Sequence, residues 1–123
     1  MAHAKAPPHG SPRAAIEMSN DCTLAGVEGA AVLRCPRCRG GNLHHGAVTV
    51  NQRRGEDGPG NATYVKGGLA HVKQDDSAFT GRRDCLAISF ECEQCGDVDF
   101  VLRVQQHKGN TFVYWELPTT SPG

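Results

Sequence analysis

Four cysteines in two identical spacings carry the clearest chemistry in this chain: Cys35-Pro36-Arg37-Cys38 and Cys92-Glu93-Gln94-Cys95. Two residues between thiols let one tight turn aim both sulfurs at a single ion. Two such turns facing each other supply four thiolates in a tetrahedral array, about 2.3 Å from a zinc ion. Gly40 and Gly96 follow the turns, where a positive φ lets the backbone fold back under the metal. Iron in the same array and disulfide pairing are the competing chemistries. A thioredoxin-like redox pair would need βαβ surroundings, which are missing here. Four thiolates leave no coordination position for water, so the spacing predicts one structural zinc and not a catalytic one.

Other polar groups gather near these pairs. Arg34, Arg37 and Arg39 surround the first, and Glu91, Glu93, Asp97 and Asp99 the second. A zinc ion with four thiolates has a formal charge of about −2, so the arginines either donate to sulfur or read phosphate and acidic partners. Arg82-Arg83-Asp84 allows the same two readings: phosphate held with Asp84 orienting a guanidinium, or an internal salt bridge. In Gln106-His107-Lys108-Gly109, His107 can serve as acid or base and Lys108 can meet phosphate; the alternative is a solvated turn. His44 and His45 follow the first pair closely, but with four thiolates available they read as hydrogen-bond partners or surface groups. Cys22 reads as a free thiol and Cys85 as a packed one. Tyr64, Phe112, Tyr114 and Trp115 would form a base-stacking platform if several shared an exposed face. In a strand, however, Phe112 and Tyr114 share one face and Trp115 takes the other.

The elements that must position the thiols are strands. Leu86, Ile88 and Phe90 alternate in a strand entering the second pair, and Val98, Phe100, Leu102 and Val104 alternate in one leaving it. Asp97, Asp99, Val101, Arg103 and Gln105 make a mostly wet opposite face. Lys108-Gly109-Asn110 is a turn before a third strand, Thr111 to Leu117. After the first pair, Val48 and Val50 share a face in the run from Leu43 to Val50. Between the pairs lies a polar, Gly- and Pro-rich insertion, residues 52–81, with two short apolar pieces straddling Gly67-Gly68 as a loop or small hairpin. Residues 1–30 lack sustained periodicity and read as a disordered tail. Residues 31–117 form the domain, and 118–123 a second tail. The expected fold is all-β: two knuckles on an antiparallel sheet of three to five strands.

These motifs resemble zinc ribbons and, among them, short uncharacterised proteins of bacteria and their phages. The likeness rests on CPRC, GRRD (Gly81 to Asp84), CEQC, QHKG and FVYWE, over about residues 32–117. It implies a fold and brings no catalytic residues.

Charge and composition bound the function. The formal net charge is zero, whereas proteins that wrap nucleic acid usually show a basic excess. No apolar run is long enough to cross a bilayer, and no signal-peptide-like segment opens the chain. Expected, then, is a cytoplasmic binding module without membrane contact. It would touch nucleic acid, or nucleic-acid machinery, through Arg37, Arg39, Arg82, Arg83 and Lys108. The alternative is a protein-interaction adaptor or homodimer. Asp84, His107 and an arginine would have to carry any enzymatic activity, but no nucleophile–base pair or open metal site accompanies them, so none is expected.

Overall fold

The computed structural model describes residues 12–53, 58–75, 83–96 and 99–118, and in these residues every regular element is a β-strand. Alternating and β-branched runs dictate the six long strands. These are β4 (Leu43–Arg53), β5 (Gly60–Lys66), β6 (Leu69–Gln74), β7 (Cys85–Cys92), β8 (Asp99–His107) and β9 (Asn110–Glu116). Three two-residue strands precede them: β1 (Arg13–Ala14), β2 (Met18–Ser19) and β3 (Val32–Leu33). The six long strands and β1 form a seven-stranded sheet in the order β1-β9-β8-β7-β4-β5-β6, with every pairing antiparallel; β2 and β3 pair separately. No helix of the described residues is long and apolar enough to cross a membrane.

The sheet is wider than the three to five strands expected, for two reasons. First, the inserted segment forms the hairpin β5–β6 and extends the same sheet. Gly67 and Gly68 both take positive φ at its turn, as a two-residue hairpin loop requires. Second, residues 12–19 of the segment expected as a tail are tied down: β1 pairs with β9, β2 pairs with β3, and Ala14 and Ile16 pack on the core.

Directly opposed residues in an antiparallel pair share a face. The register therefore places Leu86, Ile88, Phe90 and Cys92 with Phe100, Leu102, Val104, Val113, Trp115, Val48 and Val50 on one face, here called the apolar face. Between His45 and Val48 the register of β4 shifts against β7 by one residue. That bulge keeps Leu43 and His45 on the same face as Val48 and Val50.

The main core lies at the metal end of this face. Cys35, Cys92, Phe100 and Trp115 are 0% exposed, and Ile16, Leu33, Leu43 and Phe90 pack around them. Phe90 and Phe100 meet Trp115 edge-on at 5.6 and 6.0 Å. The opposite face is not wet throughout. Arg103 is fully buried, its Nε donating to Glu116 Oε1 at 2.6 Å, because register sets the two side chains diagonally across β8 and β9. Asp97 and Val98 lie outside the described residues.

Candidate metal centre

Strand ends bring the two cysteine pairs together. Cys92 closes β7 opposite Leu43 at the start of β4, and the first knuckle lies between β3 and β4. Each knuckle is a backbone turn: Arg39 N donates to Cys35 O, Gly96 N to Cys92 O, and Cys35 N to Gly40 O. The positive φ in the second knuckle is at Gly96, as expected, but in the first it is at Arg39 (64°) and not at Gly40. Gly40 instead sits close against the second knuckle. A Cβ there would meet Gln94 Oε1 at 2.8 Å and Cys38 Sγ at 3.3 Å.

The four sulfurs of Cys35, Cys38, Cys92 and Cys95 all lie within 4.8 Å of one another. Across the knuckles, Cys35 Sγ is 3.8 Å from Cys95 Sγ, and Cys38 Sγ is 3.6 Å from Cys92 Sγ. A tetrahedron with metal–sulfur bonds of about 2.3 Å has sulfur–sulfur edges of roughly 3.8 Å, so the donor set and its spacing fit a tetrahedral metal. This is a zinc-ribbon-like site, closed by four sulfurs. Cys35 and Cys92 form its buried side, while Cys38 is exposed.

Charge at the sulfurs is offset by backbone. Arg37 N and Cys38 N point at Cys35 Sγ (3.3 and 3.5 Å), and Gly40 N donates to Cys38 Sγ at 3.3 Å. Burial opposes ionisation of Cys35. The Cys38 and Arg37 amides, with the neighbouring Cys92 and Cys38 thiols, overcome it and bring the thiol down to about 7. Burial, together with the sulfurs of Cys92, Cys35 and Cys38, pushes Cys95 up to about 12.

The arginines do not donate to sulfur. Arg34 bonds Ser19 Oγ and both carboxylate oxygens of Asp21, and Arg39 Nε bonds Glu17 Oε1 at 2.9 Å. Sequence reasoning missed these partners because they sit in the segment read as a tail. Arg37 is exposed beside the site. Lys108 and Arg83 lie at the other end of the sheet. Lys108 follows β8 roughly 26 Å along the strand from Phe100, and Arg83 precedes β7 beside Asp84, whose backbone O accepts from Gln106 N. The expected cations are thus divided between two ends, and Arg82 lies outside the described residues.

The remaining candidates are dispersed. His44 pairs with Glu93 and is no ligand, and His45 packs edge-on to Phe90. Asp84 Oδ1 accepts from Arg53 N at 2.9 Å, tying the start of β7 to the end of β4. His107 lies tilted against Phe112, with ring centroids 6.3 Å apart. Cys85 is buried and accepts from Asn51 Nδ2, while Cys22 is exposed. No stacking platform forms from the four aromatics. Trp115 is in the core, and Tyr64 stacks on His71 four strands from Tyr114, roughly 19 Å across the sheet.

Comparison of the chain with protein-family models, with curated proteins and with solved structures finds no match.

Proposed function

We propose that this protein is a zinc-stabilised protein-interaction module. One structural zinc on Cys35, Cys38, Cys92 and Cys95 fixes both knuckles, and the work of the molecule is binding, not catalysis. The thiolate-only donor set favours zinc, which has no geometric demand beyond the tetrahedron these sulfurs already make. The setting is a reducing cytoplasm, where paired cysteines bind metal in preference to forming disulfides, and all six cysteines are free of disulfides.

The observation that carries the choice of a protein partner is the pairing at the first knuckle. Arg34 and Arg39, which would have met phosphate, are already matched by Asp21 and Glu17. With zero net charge, and with Lys108 and Arg83 at the far end, Arg37 is the exposed knuckle arginine outside these pairs, and counterion release has little to act on.

Titration of fluorescent single-stranded and duplex oligonucleotides across a salt series tests this reading. Expected is binding weaker than roughly 100 µM near physiological salt, with a shallow salt slope. Submicromolar binding that weakens steeply with salt and is lost in Arg37→Ala would put nucleic acid back first.

A further inference from the structure

Among the described residues, one large surface has no partner in the fold. On the apolar face, beyond the metal core, the register aligns Val113, Val104, Leu86, Val50, Thr63 and Val72 in one row across β9, β8, β7, β4, β5 and β6. The next row towards the metal runs Leu102, Ile88, Val48, Val65 and Ala70. All eleven side chains are half-buried or exposed, and Val72 and Val113 reach 64% and 44%. Among the described residues no second layer crosses these rows. The layer they do show lies at the metal end, where Ile16 and Leu33 pack on the core.

Charge sorts the two faces completely. Every charged side chain of the six long strands (Arg53, Lys66, Lys73, Glu91, Asp99, Arg103 and Glu116) falls on the opposite face by register. The apolar face ends in an uncharged polar row, Gln106, Thr111, Gln52, Asn61 and Gln74. A period-2 sheet with one aliphatic face is built to be covered by another layer.

We propose that the cover is the same face of a second copy of this chain, packed as a two-sheet sandwich. This inference rests on the protein-interaction reading above and names its partner. The charge pattern favours self-association: a face without charge meets its own copy without repulsion and offers nothing to a charged partner. The size is sufficient. Six strands about 4.8 Å apart and three rows about 6.8 Å apart span roughly 600 Å2 per copy, hence roughly 1,200 Å2 in total, where specific interfaces begin. The shape also fits. The knuckle layer over the metal end makes a step on the sheet one layer high, and packed sheets are spaced about 10 Å apart, one layer as well. Each copy's sheet therefore fills the low half of the other.

Sedimentation of the zinc-loaded full chain over a concentration series tests the proposal. The expected result is a reversible dimer at about 50 µM. Val50→Lys or Leu86→Lys places two like charges in the dry interface and should raise the dissociation constant roughly 100-fold or more. Phe112→Lys, on the opposite face, should leave it unchanged. Zinc content of one per chain in each variant shows that the metal end is still folded. A chain that is monomeric at about 0.3 mM overturns the proposal, whether its face is then covered from within the chain or by vesicles of phosphatidylcholine and phosphatidylglycerol. So does a dimer that survives Val50→Lys and Leu86→Lys but is lost in Gln74→Pro, which removes an outward-facing N–H of β6, because the contact would then be the β6 edge. In either case a retained zinc leaves the metal reading intact, while a metal-free chain would fail that reading first.

Discussion

The two ends of the apolar face are made of similar residues and have opposite fates. At the metal end, Phe90, Phe100, Leu43, Cys92 and Trp115 pack with Cys35 and with the segments carrying Ile16 and Leu33, and the innermost side chains lose all contact with water. At the other end, Leu86, Ile88, Val48, Val50 and Val104 alternate just as regularly and stay partly wet. Strand pattern is therefore not what buries a sheet face in this molecule. What differs is a second layer, and at the metal end that layer is two short turns and a thin segment with few large apolar groups of their own. Such turns hold their position only if something ties them together, and the four sulfurs are placed to do that.

The largest expected effect follows from cutting that tie. Cys92→Ser, or chelation of the metal, should unfold the metal end, since structural zinc sites contribute on the order of 10 kcal/mol of apparent folding free energy. The Trp115 emission would shift to the red as the indole meets water, and that shift is the measurement.

Next comes the buried pair on the opposite face. Glu116→Ala should cost about 3–5 kcal/mol in denaturant unfolding, because it strands the buried Arg103 guanidinium, and Arg103→Ala should cost less, because Arg13 Nη2 stays 3.9 Å from Glu116 Oε2. Both Nη atoms of Arg103 find no protein hydrogen-bond partner, so the pair is already imperfectly satisfied. The double replacement Arg103→Met with Glu116→Leu should accordingly recover most of the loss.

Acid sharpens the comparison by acting on one end alone. Metal binding requires thiolates, and protons compete for them. Cys35, held down to about 7, loses its proton readily, whereas Cys95, pushed up to about 12, and Cys92, also raised, must be stripped by the metal. Apparent zinc affinity should therefore climb as pH rises from about 6 to about 9 and fall on acidification, as read with a competing chromophoric chelator.

The smallest effect belongs to the surface pairs. Glu17→Ala, which releases Arg39, should change stability by no more than about 0.5 kcal/mol while adding one free cation beside the knuckle.

What was legible in the sequence was local. The cysteine spacing, the turn at Gly67-Gly68, and the alternation in Leu86 to Phe90 and Phe100 to Val104 each report on a few neighbouring residues, and each corresponds to a feature of the structure. What was hidden depends on partners far away in the chain. β1 is two residues long and its strand partner, β9, lies at the other end of the sequence, so no periodicity announces it. Arg103 looked wet because its partner, Glu116, belongs to the next strand. The arginines of the first knuckle looked available because Glu17 and Asp21 sat in a segment without pattern. The uncovered half of the apolar face was invisible for a related reason. The alternation of β7 and β8 is the same whether or not a second layer exists.

The most direct test of the account is the metal content of protein purified without chelator, measured by elemental mass spectrometry beside a thiol titration. The expected result is one zinc per chain, with Cys35, Cys38, Cys92 and Cys95 protected from thiol reagents until chelator is added and Trp115 exposed afterwards. A folded, metal-free chain whose four thiols react freely while Trp115 stays buried would contradict it.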